Sequence, residues 1–198
     1  MSFRFLFPFV ATLVLLLSAP SARAESTPED LFRQGREAVQ KKDWQRAREL
    51  LARSWALKKS FDTAALLGQS ELKLEKFRDA AEHLDFAVRS FPNLEPSADA
   101  RKRIEEAAKR ARSKVLALRI SASVPGAEIT VDGSSVGREP LDAEVFLEPG
   151  KHQVKAALDG YDAADREVEA KAGRAERIEL KLDRQPTPPG ASAPAAAV

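Results

Sequence analysis

Between Leu31 and Pro92 the chain repeats itself. Gly35 returns as Gly68, Trp44 as Phe77, Ala47 as Ala80 and Leu51 as Leu84, each after 33 residues. A period of this size predicts stacked helical hairpins, none of which can bury its apolar face alone. The glycines let a second helix come close, the aromatics open that helix, and the alanines fall where the pair touches. Helical spacing places one helix from Thr27-Pro28 to about Lys41, a turn at Lys42-Asp43, and a second helix over Trp44–Leu57. The second copy reads as Thr63–Leu74, a turn at Glu75-Lys76, and Phe77–Phe91 closed by Pro92. After the breaker Asn93-Leu94-Glu95-Pro96, Ser97 opens a third helical stretch, Ala98 to about Leu116. Its narrow stripe of Ile104, Ala107, Ala111 and Val115 reads as a cap over the last repeat, with a solvated basic outer face rather than a lipid-binding one. Glu105 with Lys109 and Glu106 with Arg110 are favourably spaced pairs on that helix.

The repeated positions resemble two tetratricopeptide repeats, with Gly35, Trp44, Ala47, Leu51 and Gly68, Phe77, Ala80, Leu84, Ala87, Pro92 at the signature places. The first copy departs from the pattern, with Ser54 for an alanine and Lys59 for the closing proline. The resemblance implies a concave groove for a protein partner, a peptide or a helix. Its positions carry over to Phe32, Arg36, Val39 and Gln40 in the first copy and Ala65, Gln69, Leu72 and Lys73 in the second.

From Leu116 the apolar period changes to two. Leu118, Ile120, Ala122, then Ile129, Val131, then Val145, Leu147, then His152, Val154, Ala156, Leu158, then Val168, Ala170 and Ile178, Leu180, Leu182 mark strands. Turn signals such as Pro125-Gly126, Asp132-Gly133, Pro149-Gly150, Asp159-Gly160 and Ala172-Gly173 separate them, which predicts a small antiparallel sandwich. Val124-Pro125-Gly126-Ala127, Asp132-Gly133, Gly137, Pro140-Leu141, Pro149-Gly150 and Gly160-Tyr161 make this half similar to the PEGA domain, a β-module of bacterial envelope and surface proteins. The glutamate of the family's eponymous motif is missing between Pro125 and Gly126, so a turn one residue tighter, or a shifted register, is expected there.

The start of the chain reads as an address. Arg4 precedes an apolar run, Phe5–Leu17, and Ala22-Arg23-Ala24 offers small residues for a signal peptidase, so cleavage is expected after Ala24. The run is short for a membrane span of about 20 residues. Loss of Arg4 and Arg23 with that leader brings the 32 Lys and Arg level with the 30 Asp and Glu. A field that would draw in nucleic acid is therefore missing. No cysteine is present, which excludes disulfides, thiolate metal sites and a cysteine nucleophile.

The remaining chemistry is thin. His83 and His152 fall in different modules and both read as structural, so no metal site or general base is expected. The carboxylates Glu128, Asp132, Glu139, Asp142, Glu144 and Glu148 stand at turns and outward strand positions. The expected organisation is a signal peptide over 1–24, helical repeats with a cap over 25–116, a sandwich over 117–184 and a Pro/Ala-rich tail over 185–198. That is an α + β multidomain chain without catalytic residues or cofactors. The expected function is a non-enzymatic envelope adaptor, periplasmic or at the cell surface. The rival is a glycan- or peptidoglycan-binding protein that uses the sandwich and Tyr161.

Overall fold

The computed structural model describes residues 27–92 and 98–186. The leader, the breaker before the third stretch with its Ser97, and the tail beyond Pro186 lie outside the described residues. The architecture is α + β. Five helices, α1 (Pro28–Gln40), α2 (Trp44–Leu57), α3 (Phe61–Lys73), α4 (Phe77–Arg89) and α5 (Ala98–Arg112), precede seven strands.

The 33-residue period extends to the backbone. Lys42 and Glu75 both take left-handed φ, 59° and 58°. After each, the next amide reaches back across the helix end: Asp43 N donates to Ala38 O at 3.0 Å and Lys76 N to Glu71 O at 2.9 Å. This is the Schellman closure, here with non-glycine residues in the left-handed position. Thr27 accepts from the Asp30 amide at α1 and Asp43 from Arg46 at α2. A Cβ built on Gly35 would lie 2.6 Å from Leu51 Cγ, and one on Gly68 2.6 Å from Leu84 Cγ. Both glycines are thus required by the close crossing of helix on helix. Ser54, the departure in the first copy, is buried and donates to the Pro28 carbonyl at 2.9 Å, tying α2 to the start of α1.

Three boundaries differ from expectation. α3 begins at Phe61 rather than Thr63, because Ser60 caps it, its hydroxyl accepting from the Thr63 amide. α4 stops at Arg89, leaving Phe91 to turn inward against Phe61, with ring centroids 5.4 Å apart. α5 stops at Arg112 instead of about Leu116. Val115 shares a buried cluster with Ala111 and with Ala117, so the helical stripe runs on without a break into one face of a strand. On α5, Glu105 accepts from Arg101, four residues before it, at 2.9 Å.

The strands are β1 (Leu116–Ala122), β2 (Glu128–Val131), β3 (Ser134–Arg138), β4 (Val145–Leu147), β5 (Gly150–Ala157), β6 (Ala164–Ala170) and β7 (Ala175–Leu180). They form two sheets, ordered β4-β1-β7 and β3-β2-β5-β6. The pairings are antiparallel except that β1 and β7 run parallel, Ala117 opposite Ala175 through Ala122 opposite Leu180. β3 is a strand that its turn-rich sequence hid. Asp132-Gly133, with φ of 50° and 80°, makes the two-residue turn that joins it to β2. At Val124–Ala127 the Ala127 amide returns to the Val124 carbonyl, with Gly126 at φ 83°, a four-residue turn of type II form. The turn is tight, and the pairing of β2 with β3 also shifts register between Ile129 and Thr130.

The two sheets enclose a core of Leu116, Leu118, Ile120, Ile129, Val154, Val168, Ile178 and Leu180 among others. A second cluster belongs to both halves. Phe146 of β4 and Ala117 of β1, paired in register, turn away from the sandwich core into Ala80, Ala81, Leu84, Ala107, Ala108 and Ala111. The helices thereby cover one end of the outer face of the three-stranded sheet.

Candidate functional site

The groove residues anticipated from the repeat pattern fall into three environments. Phe32 and Val39 of α1 are half-buried and pack with Leu66 of α3 in the first-hairpin cluster. Leu72 joins the cluster under α4 and α5. Arg36 and Gln40 are exposed on α1. Arg36 lies one turn from Phe32 and Val39 and so shares their side of the helix. Lys73 is exposed on α3, its ammonium 6.0 Å from the centre of the Trp44 ring. Ala65 and Gln69 line an open groove of about 310 Å³ between α3 and α5. Of the eight anticipated positions, only Ala65 and Gln69 line this hollow, and α5 supplies much of its wall.

Sequence reading missed a seam between the halves. Arg112, near the end of α5, donates to Asp85 of α4 at 3.0 Å and to Glu144 just before β4. Its guanidinium also stacks 5.1 Å from the Phe146 ring centre. Arg119 of β1 approaches the same Glu144 at 3.7 Å. On either side of this seam lie two clefts. One, of about 500 Å³, runs between α4, α5 and the start of β7. The other, of about 430 Å³, has Arg78, Asp79 and Glu82 of α4 facing Asp132, Glu148 and His152 of the sandwich.

A buried polar cluster within the helices was equally invisible. Glu71 of α3 is 1% exposed, accepts from His83 of α4 at 2.7 Å and faces Arg48 of α2 at 3.6 Å. Arg48 also reaches Asp79 at 3.4 Å, while its Nε is buried without a hydrogen-bond partner. Trp55 closes the cluster edge-on, 5.3 Å from the His83 ring. The group ties three consecutive helices together, and its Asp79 reaches the cleft that faces His152.

Three of the six anticipated sandwich carboxylates are occupied as acceptors. Glu139 takes the Ala122 amide at 3.1 Å, Glu144 takes Arg112, and Asp132 takes the Gln153 amide at 2.8 Å. His152 Nδ1 lies 2.6 Å from Asp132 and Nε2 lies 2.8 Å from the Glu148 carbonyl. Both ring nitrogens face acceptors, so both donate only when the ring is charged. Burial works against that charge, but the Asp132 and Glu148 bonds and the nearby negative charges outweigh it, and the pKa of His152 is raised. Asp132 is held below the usual carboxylate range, first by the Gln153 amide and then by His152.

A histidine with a raised folded-state pKa contributes stability below its unfolded value of about 6.5, and that contribution is lost as pH climbs through the folded value. Asp132 contributes in the opposite sense, above about pH 4, and is lost as pH falls. The expected result is a plateau of stability near pH 5–6. Thermal melts from pH 5.5 to 8.5 should show the melting point falling with pH, and His152→Gln should remove a measurable part of that slope. Identical slopes for the two proteins would show that the ring is not held charged.

Among the described residues no three His, Asp or Glu side chains are grouped so as to hold a metal ion. No helix among them is long and apolar enough to cross a membrane. Tyr161 is half-buried against the sandwich core, so its ring is turned mainly inward. It borders a polar hollow of about 450 Å³ with Glu128, Arg138 and Gln185.

Residues 115–186 match the PEGA domain, which spans the seven strands and the seam residues Ala117 and Phe146. PEGA domains occur in extracellular or periplasmic proteins, and the match suggests a surface- or envelope-associated module. The helical region is consistent with a repeat, and no tetratricopeptide model matches it. No curated protein matches the chain.

Proposed function

We propose that the protein is a non-enzymatic adaptor of the cell envelope. Its helical half holds a protein partner on the concave side of α1 and α3, and its PEGA domain is the module that associates with the envelope or surface. The observation that carries this reading is the open groove bounded by Ala65 and Gln69, built on helices that share a core with the PEGA domain. A partner held there would be fixed in direction relative to the sandwich. The apolar run and cleavage pattern of the leader support export, and the PEGA match supports the same compartment.

The polar groups described above are consumed in tying elements together, which supports a role in contact rather than in catalysis. The test is capture of envelope proteins by the full chain, compared with a variant carrying Arg36→Ala, Gln69→Ala and Lys73→Ala together. All three residues are exposed, so the variant is expected to fold normally and to lose most of the captured protein. Equal capture by both would remove the groove from the mechanism.

A further inference from the structure

The groove between α3 and α5 has a composition that selects among protein partners. Its floor is aliphatic, built from Leu66, Ile104 and Ala107. Its α5 rim carries Arg103 and Arg110, both exposed. Neither is engaged in an ion pair among the described residues, whereas their neighbours Arg101 and Arg112 are held by Glu105, Asp85 and Glu144. Glu106 is the acid in the lining. Arg36 and Lys73 add positive charge on the concave helices. This concentration stands out in a chain whose formal net charge is only +2.

We infer that the groove takes an acidic, aliphatic peptide segment in extended form. In such a segment alternate side chains point in opposite directions, so aliphatic residues can enter the floor while carboxylates lie outward along the arginine rim. Arginine suits that role, since its planar fork meets a carboxylate with two parallel hydrogen bonds. An anionic bilayer fits less well. A flat surface that touched Arg103 and Arg110 would leave the recessed floor of Leu66 and Ile104 unfilled.

This inference rests on the adaptor reading and narrows it to a partner chemistry. The probe is a fluorescein-labelled dodecapeptide alternating leucine and glutamate, with a second peptide in which glutamine replaces every glutamate. Fluorescence anisotropy with the full chain is expected to show binding of the acidic peptide. The double variant Arg103→Gln, Arg110→Gln should weaken it about tenfold, the sum of two rim charges. Raising the salt should weaken it as well. The glutamine peptide should bind the native protein no better than the acidic one binds the double variant.

Charge reversal, Arg103→Glu with Arg110→Glu, should transfer the preference to a leucine–lysine peptide. Circular dichroism confirms the fold of each variant. Equal affinity for the acidic and glutamine peptides would overturn the inference, as would a double variant that binds like the native chain. So would binding to phosphatidylglycerol vesicles that depends on the same arginines, in the absence of peptide binding. The adaptor reading fails separately, by its own Arg36, Gln69 and Lys73 variant, so the two outcomes are distinguishable.

Discussion

Replacing Phe146 with alanine is expected to lower the stability of the chain by about 4 kcal/mol, near the middle of the range for a buried phenylalanine. The ring is 1% exposed. Most of the buried residues in its cluster, Ala80, Ala81, Ala107, Ala108, Ala111 and Ala117, are alanines with no side-chain freedom to refill a vacated volume, which leaves that to Leu84 and Val115. Three strand residues decide what the loss means. Val145 and Leu147 face the sandwich core, and Phe146 alone on β4 faces the helices. The damage should therefore appear in the wrong half: hydrogen exchange should accelerate in α4 and α5 more than in β5 or β6. A urea titration should also separate into two transitions where the native chain gives one. Phe146→Leu, which keeps most of the volume, should cost under about 2 kcal/mol. A Phe146→Ala protein that melts within a degree of the native one would show that the halves are merely adjacent.

The second large effect is expected at Glu71. Replacing it with alanine leaves His83 without its acceptor and Arg48 with only Asp79 at 3.4 Å, around a carboxylate position that is itself buried. Removing one partner from a buried charged group costs about 3 kcal/mol, most of it the penalty on what remains. Glu71→Gln keeps an acceptor for His83 and should recover more than half of the loss. Substituting leucine together with His83→Phe and Arg48→Met should recover stability too, because replacing a whole buried polar group with apolar side chains is often neutral or better. Chemical denaturation of the four proteins makes the comparison. If Glu71→Ala costs less than about 0.5 kcal/mol, the cluster is incidental.

How much of this the sequence carried depends on whether one element or two had to be known. The hairpins were legible because Gly35 and Leu51, or Gly68 and Leu84, answer each other inside one repeat. The strands were legible because Leu116, Leu118 and Ile120 alternate along a single segment. Phe146 was not legible, since alternation says only that it faces away from Leu147. Whether that second face meets water or a helix depends on where α4 and α5 dock. Arg112 looked like one more cation on a solvated helix, and its role is set by Asp85 and Glu144, each on a different element. Glu71 likewise reads as a surface residue between Ser70 and Leu72 until α2 and α4 are brought over it. Among the anticipated groove positions, Ala65 and Gln69 line a hollow whose facing arginines come from a helix that the repeat pattern treated only as a lid.

The parallel pairing of β1 with β7 has a geometric consequence. The chain enters the sandwich at Leu116, beside α5, and β7 starts at the same end, where the Gly173 amide bonds the Val115 carbonyl at 2.9 Å. β7 then travels alongside β1 for six residues, about 20 Å. It ends where Leu182 meets Ser123 and Gln185 meets Gly160. Entrance and exit thus sit at opposite poles. A tether fixed at Pro186 would hold the molecule by its distal tip and point the helices outward, at arm's length from the anchorage.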